Sequence, residues 1–275
     1  MNEINFSSPQ PYLIEDFKCN LNLEKVEVNN MLKILWVNVP GTDMYDEGTI
    51  KVINEIKRSD VEARVVHVSK GPIHVEYHYY EHLNLHEMLK WIWWADKNKF
   101  DAAVIGCFYD PGLREARELV SIPVIGPAEA CMHVAATLGH KFSIIVGRRK
   151  WIPKMESNAY QYGVEKKLAS FRIIHFTVPR MIKEPEKLKE AIYSEAKKAV
   201  EENGAEVIVL GCTVESGFMK ELIQKLKVPV LDAVVIAWKY AEMMADLYRK
   251  MGLTHSKLFG YEKPPEEDGF LRALE

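Results

Sequence analysis

Two cysteines stand at equivalent places in a segment that occurs twice in this chain. The first copy covers residues 101–131 and carries Cys107, and the second covers residues 205–236 and carries Cys212. In both copies an apolar run leads into Gly-Cys, and another glycine follows five residues after the cysteine. Two thiols on opposite sides of one pocket can take a proton from a carbon atom and return one to its other face. The repeat therefore points to proton exchange at a carbon centre.

Each cysteine alone also has a purely structural explanation. Free cysteine is among the most buried residue types, so either thiol could be a small core residue at the end of a strand. The pair favours chemistry, since a relic of duplication would be expected to lose one sulfur to Ala, Ser or Val. Each turn also leads into a helix, whose free N–H groups attract anions, and we expect this field to lower the thiol pKa.

Composition excludes several classes of protein. The 275 residues are 48% hydrophobic, which allows a sizeable core, and the net charge of −3 comes without a basic block that would suggest nucleic acid binding. The longest apolar runs are strand-sized, so no membrane span is expected. The first residues lack the pattern of a signal peptide, and four cysteines in this length do not make a disulfide scaffold. We therefore expect a cytoplasmic protein with reduced thiols.

Strands and helices are predicted to alternate from residue 31 to about residue 250. The strands read as continuous apolar runs, which is typical of parallel sheets covered by helices on both faces. The order restarts near residue 140, which predicts an α/β fold of two pseudo-symmetric, Rossmann-like lobes with roughly four parallel strands each. A single eight-stranded barrel is the alternative architecture. Longer strands are predicted at 32–38, 63–69, 141–147 and 171–178, and long helices at 46–57, 83–97, 127–138, 151–163, 184–203 and 233–250.

The predicted fold places both cysteines where ligands bind. In open parallel sheets, ligands lie beyond the carboxyl ends of the strands, and Cys107 and Cys212 each follow such an end. If the lobes face each other, the two sulfurs lie on either side of the cleft between them. No Gly-x-Gly-x-x-Gly or phosphate-loop motif is present, so a nucleotide cofactor is not supported.

The residues around these turns resemble the aspartate/glutamate/hydantoin racemase superfamily, with hydantoin racemase as the nearest branch. Residues 107–113 read Cys-Phe-Tyr-Asp-Pro-Gly-Leu, similar to that branch's Cys-Phe-Gly-Asp-Pro-Gly-Leu. Residues 71–76 match a Gly-Pro-x-x-Ile-Glu region, residues 125–130 match the following strand-to-helix segment, and residues 210–213 match the second cysteine motif. The resemblance covers residues 31 to about 255.

This resemblance implies an isomerase that works without a cofactor and uses Cys107 and Cys212 as the acid/base pair. It also implies that the chain crosses from lobe 1 to lobe 2 and then returns to lobe 1 with its last helix. Lobe 1 would comprise residues 31–127 with 232–275, lobe 2 would comprise residues 128–231, and residues 1–30 would form an extension. The reaction implied is racemisation at the carbon next to a carbonyl, and the nearest branch favours C5 of a 5-substituted hydantoin.

Neutral groups around the turns are the candidates for holding the substrate's carbonyl or carboxylate oxygens. They are Asn38, the N–H groups of Phe108 and Tyr109, Gly147, and Thr213 with Val214. The chain departs from the family pattern at three places: Asn38-Val-Pro-Gly-Thr42 replaces Asn-Pro-Asn-Thr-Ser, Tyr109 replaces a glycine, and Gly147-Arg148 stands where the branch tends to have threonines. Arg148 would bind a carboxylate if it pointed inward and would otherwise be a surface arginine. The substrate therefore stays open between a cyclic hydantoin and an open acid.

Two other functions remain open from the sequence. One is an aspartate/glutamate racemase or maleate-type isomerase of the same fold, and the other is a two-lobed protein that binds a small molecule without catalysis. Glu129 and Glu215 either line the cleft or complement a helix dipole.

Histidines and tryptophans between residues 74 and 94 form two further patterns. The histidines recur every four residues from His74 to His86, but Gly71-Pro72 precedes them and aromatic residues interrupt the face, so no metal site is expected. The cluster Trp91-Ile-Trp93-Trp94 cannot all face one core, so we expect a homo-oligomer or a contact with residues 1–30, with core packing as the alternative.

Overall fold

The computed structural model describes residues 31–274, and the predicted extension over residues 1–30 lies outside this part of the chain. Within it, eight strands form two separate four-stranded parallel sheets. The first sheet contains β1 (Leu32–Asn38), β2 (Val61–His67), β3 (Ala102–Ile105) and β4 (Val124–Ile125), and the second contains β5 (Phe142–Val146), β6 (Leu168–Ile173), β7 (Val207–Leu210) and β8 (Val230–Leu231). Their orders, β2-β1-β3-β4 and β6-β5-β7-β8, are the same order repeated, so the single barrel is excluded.

Helices connect the strands and cover the sheets. Those of the described residues are α1 (Asp46–Ile56), α2 (His78–Lys97), α3 (Leu113–Leu119), α4 (Pro127–Leu138), α5 (Ile152–Gln161), α6 (Val178–Lys183), α7 (Pro185–Asn203), α8 (Met219–Leu226) and α9 (Ala233–Met251). None of them is long and apolar enough to cross a membrane. The predicted two-lobed α/β fold is confirmed.

The predicted bounds were wrong by several residues at two places. Helix α2 begins at His78 instead of Leu83, so part of the aromatic run lies in its first turn. Strand β6 ends at Ile173 instead of Val178, because His175 takes a positive φ of 59° that breaks the extended chain. Thr177 then accepts a hydrogen bond from the N–H of Arg180 and caps α6, a helix that the periodicity did not predict.

The central strands are apolar on both faces because helices cover both sides of each sheet. In β1, residues 34–37 are fully buried, and in β7 residues 207–210 are fully buried. Helix α9 packs on β1 and β3 of the first sheet, whereas α4 packs on β7 of the second. This crossing of the chain supports the predicted lobe boundaries at 127/128 and 231/232, which stay predictions.

The tryptophan cluster packs against the core of its own chain. Trp91, Trp93 and Trp94 are partly buried against the apolar residues beneath α2. The Arg64 guanidinium lies 4.5 Å from the centre of the Trp94 ring, and the Lys97 ammonium lies 5.3 Å from the centre of the Trp93 ring. Contacts within the chain thus account for these side chains, and the homo-oligomer stays a prediction.

Candidate active site

The two cysteine turns meet at one cleft, whose volume is about 530 Å³ when the space open to solvent is included. Cys107 follows β3 and Cys212 follows β7, which occupy the same position in the two sheets. Both thiols are half-buried and both line the cleft. The cleft is lined by Asn38, Pro40, Tyr45, His74, Val75, Glu76, Gly106, Cys107, Phe108, Tyr109, Trp151, Met155, Val178, Gly211, Cys212, Thr213 and Val214.

The turns are built by matching backbone hydrogen bonds. The N–H of Gly106 donates to Val37 at 2.7 Å, and the N–H of Gly211 donates to Ile145 at 2.9 Å. These bonds bring the glycine against the neighbouring strand, where a Cβ on Gly106 would lie 2.5 Å from Trp36 Nε1. Glycine before each cysteine is therefore a steric requirement of the turn.

Burial controls the protonation of both thiols. Desolvation raises the pKa of Cys107 to about 12, and it raises the pKa of Cys212 well above its usual range. The N–H groups of Tyr109 and Val214 act in the opposite direction and are outweighed. The expected lowering of the thiol pKa is therefore wrong, because loss of water costs a thiolate more than these N–H groups return.

Most of the predicted substrate-binding residues surround the cysteines. Asn38, Phe108, Tyr109, Thr213 and Val214 all line the cleft. Gly147 is not among the lining residues but adjoins them: a Cβ there would lie 2.5 Å from Trp151 Cη2 and 2.6 Å from the Phe176 carbonyl oxygen. Gly147 leaves room for the indole of Trp151, which does line the cleft. The substrate-binding roles of all six predicted residues stay predictions.

The sequence did not single out several side chains that line the cleft. These are Tyr45, the neighbouring residues Trp151 and Met155, and Val178, which come from three separate segments that only the fold brings together. The Tyr45 hydroxyl donates to the Ile73 carbonyl at 2.9 Å, and burial raises the pKa of this phenol, so it stays neutral. Sequence periodicity could not have identified this set, because its members come from segments far apart in the chain.

Arg148 lies at the edge of the site and does not line the cleft. Its Nη1 is 3.4 Å from Glu76 Oε1, and its guanidinium lies 5.7 Å from the centre of the Tyr77 ring. The side chain of Glu76 is only 2% exposed, whereas that of Arg148 is 31% exposed. Arg148 thus neutralises a buried acid from the outside, and inward binding of a substrate carboxylate by this residue is not supported.

A chain of hydrogen bonds holds the carboxamide of Asn38. Trp36 Nε1 donates to Asn38 Oδ1 at 2.8 Å, and Asn38 Nδ2 donates to Asp46 Oδ1 at 2.7 Å. The second oxygen of Asp46 lies 2.7 Å from Nδ1 of His67, a partly exposed residue at the end of β2. The carboxamide therefore has one orientation at the wall of the cleft, set by residues outside it.

The histidine series does not form one helical face. His74 precedes α2 and lines the cleft, whereas His78 begins the helix and lies near Glu81. Within residues 31–274, no group of three or more His, Cys, Asp or Glu side chains is placed to hold a metal ion.

The two acidic residues left open by the sequence both lie away from the cleft lining. Glu129 forms an ion pair with the buried Arg117. Glu215 is fully buried in the turn after Cys212, and neither carboxyl oxygen has a hydrogen-bond partner. Burial raises the pKa of Glu215 well above its usual range, so we expect a neutral carboxylic acid at neutral pH.

If Glu215 is neutral, the difference in unfolding free energy between the wild type and Glu215→Gln should depend on pH. Its folded pKa lies above its unfolded pKa, so the folded state holds a proton that the unfolded chain releases as pH rises. The stability contributed by this group is therefore present below the unfolded pKa and lost above it, by up to about 1.4 kcal/mol per pH unit. We expect the wild type to lose stability between pH 5 and pH 7 relative to Glu215→Gln, measured by urea unfolding. If the unfolding free energies of the two proteins changed equally with pH, Glu215 would be ionised in the folded state.

Comparison with known proteins identifies the family of this chain and several similar proteins. Residues 34–241 match the family described as Asp/Glu/Hydantoin racemase. A hydantoin racemase from Pseudomonas sp. (strain NS671) is 34% identical over 244 residues, covering 89% of this chain and 96% of that protein. The solved allantoin racemase from Klebsiella pneumoniae has a TM-score of 0.80 and 29% identity, covering 85% of this chain and 94% of that chain. The allantoin racemase from Pseudomonas fluorescens has a TM-score of 0.79 and 29% identity, covering 85% and 97%.

Proposed function

The chain belongs to the Asp/Glu/hydantoin racemase family, and we propose that it interconverts the enantiomers of a 5-substituted hydantoin by proton transfer between two cysteines. One observation carries this proposal. Cys107 and Cys212, from the two copies of the repeat, line the same cleft. The names of the relatives, hydantoin racemase and allantoin racemase, support the same type of reaction.

The reaction moves one proton off the substrate and another proton on. A thiolate at one cysteine takes the hydrogen from C5 as a proton, and the C–H electron pair moves into the adjacent carbonyl to form an enolate. The thiol of the other cysteine then donates its proton to the opposite face of C5. Each sulfur ends in the other's starting state, so the product enantiomer reacts by the same steps in reverse. The N–H groups of Phe108 and Tyr109 and the Thr213 hydroxyl would stabilise the enolate oxygen.

The charges around the cleft favour a neutral substrate over a dicarboxylic amino acid. Among the described residues that line it, Glu76 is acidic and there is no Lys or Arg. Arg148 pairs with Glu76 from outside the cleft, so a substrate with two carboxylates would find no further cation among these lining residues. Trp151, Met155 and Val178 offer an apolar wall that suits an apolar substituent at C5.

Solvent hydrogen exchange tests the proposal. Single enantiomers of 5-benzylhydantoin, allantoin, aspartate and glutamate would be incubated with the protein in heavy water while optical rotation and C5 or α-deuterium are followed. We expect hydantoins to racemise, with early deuterium confined to the newly formed enantiomer because the second thiol carries a solvent-derived proton. Turnover of aspartate or glutamate alone would support an amino-acid racemase of the same fold. Binding without turnover of any compound would support a binding protein.

Asp46 is expected to act on the reaction by positioning Asn38. Asp46→Ala removes the acceptor that holds Asn38 Nδ2, so the carboxamide can rotate, and we expect kcat/KM for the hydantoin to fall by roughly tenfold. Asp46→Asn keeps an oxygen acceptor and should retain most of the activity. Thermal unfolding of both variants separates positioning from loss of stability, and equal activity in the two variants would show that the hydrogen bond has no part in catalysis.

A further inference from the structure

Two polar side chains that line the cleft keep hydrogen-bonding capacity, His74 at Nδ1 and Glu76 at Oε2, while Glu76 Oε1 accepts from Arg148. His74 and Glu76 both line the cleft, and the distance from His74 Nδ1 to Glu76 Oε2 is 3.6 Å, beyond hydrogen-bond reach. His74 Nδ1 is buried and has no hydrogen-bond partner. Buried polar atoms in proteins nearly always have a partner, so this wall has a donor and an acceptor left for a ligand.

The surroundings hold the pair in place. The rings of Tyr77 and Tyr80 lie 6.1 Å and 5.4 Å from the imidazole of His74, measured between ring centres. Arg148, from the loop after β5, contacts Glu76 through Oε1 at 3.4 Å. The other oxygen, Oε2, is the one nearest His74. The arrangement therefore presents one fixed acceptor beside one fixed donor.

We propose that His74 and Glu76 bind the cis-amide edge of the substrate ring, with a ring N–H donating to Glu76 and the adjacent carbonyl accepting from the Nδ1–H tautomer of His74. This inference rests on the proposed function and extends it. A hydantoin ring carries two N–H groups, each beside a carbonyl, whereas a free carboxylate offers only acceptors and would be repelled by Glu76. A ring without the N–H would leave Glu76 Oε2 without a donor, since Arg148 contacts only Oε1, and this loss disfavours binding. The pair is thus a specificity determinant that selects cyclic amides and orients C5 between the thiols.

N-methylated substrates test this contact directly. We would measure kcat/KM for 5-benzylhydantoin and for its N1-methyl and N3-methyl derivatives, each corrected for its uncatalysed racemisation rate at the same pH. For the wild type we expect one methyl position to lower kcat/KM by about 100-fold, because it removes the bound donor. In Glu76→Ala that discrimination should fall to within a few-fold, because the acceptor of the ring N–H is absent. Glu76→Gln keeps an oxygen acceptor and should retain part of it.

A control at an apolar residue of the cleft lining separates recognition by Glu76 from a general change of the cleft. Val178→Ala, whatever its overall rate, should keep the discrimination of the wild type. The inference is overturned if the wild type accepts both methyl derivatives as well as the parent, or if Glu76→Ala discriminates as strongly as the wild type. If the parent compound does not racemise at all, the proposed function fails separately. In that case calorimetry would measure the affinity of the same three compounds for the wild type and for Glu76→Ala. N-methylation should weaken binding to the wild type much more than binding to Glu76→Ala.

Discussion

Cys107→Ala and Cys212→Ala are each expected to abolish racemisation, lowering kcat/KM by about 10⁴-fold. With one sulfur gone, a proton can leave or join C5 on one face only, so the configuration cannot invert. The remaining thiolate can still remove a proton and return one to the same face. Each variant should therefore exchange the C5 hydrogen of one enantiomer with heavy water without inversion, and the two variants should act on opposite enantiomers.

Cys131 provides the matched control for these substitutions. It is a third free cysteine among the described residues, fully buried within α4 and absent from the cleft lining. Cys131→Ala should keep racemisation close to the wild-type rate, since it removes a sulfur without touching the cleft. Chiral chromatography would measure inversion, and mass spectrometry would measure deuterium uptake. Racemisation surviving in Cys107→Ala or Cys212→Ala would contradict the two-thiol mechanism.

The rate is expected to rise steeply with pH. Burial raises the pKa of Cys107 to about 12 and raises the pKa of Cys212 as well, so at neutral pH few molecules carry a thiolate. Below the lower thiol pKa, the thiolate fraction grows about tenfold per pH unit. We therefore expect kcat/KM to increase close to tenfold for each unit between pH 6 and pH 8, while the partner thiol stays protonated as the acid.

The pH profile needs a correction for chemistry in solution. Hydantoins also racemise in alkaline buffer, so the rate with Cys107→Ala at each pH would be subtracted. The profile of kcat/KM reports the free protein, and that of kcat reports the complex. A kcat/KM that is flat from pH 6 to pH 8 would show that one thiol ionises near or below neutral pH, against the effect of burial. If kcat did not change with pH while kcat/KM rose steeply, substrate binding would be what lowers the thiol pKa.

Much of the fold could be predicted because its causes are local. Continuous apolar strands and a pattern that restarts near residue 140 indicate two covered parallel sheets, and Pro127 and Gly204 mark helix ends within the local sequence. The strand that was predicted to reach Val178 is the instructive failure. A capping threonine and a proline begin α6 there, and the apolar residues around them were read as a strand.

The site could be predicted only where the repeat marked it. Cys107 and Cys212 stand out because each follows Gly in one of the two copies of the same turn, whereas Tyr45 and Trp151 belong to no repeated pattern. Gly147 was predicted to contact the substrate from its place after a strand, and only the fold shows that the indole of Trp151 packs beside it. A position at a strand end indicates proximity to a site and does not say which neighbour fills the space.

The amino-acid order by itself determined the two sheets, the matching cysteine turns and the family, since hydrophobic spacing, turn residues and motifs are properties of short segments. Only the folded chain decided the ionisation of the thiols, the neutral state expected of Glu215 and the donor–acceptor wall of His74 and Glu76. Those properties depend on how much water and which distant charges surround each group. Desolvation and contacts across the cleft are set by residues far apart in sequence, so no local pattern encodes them.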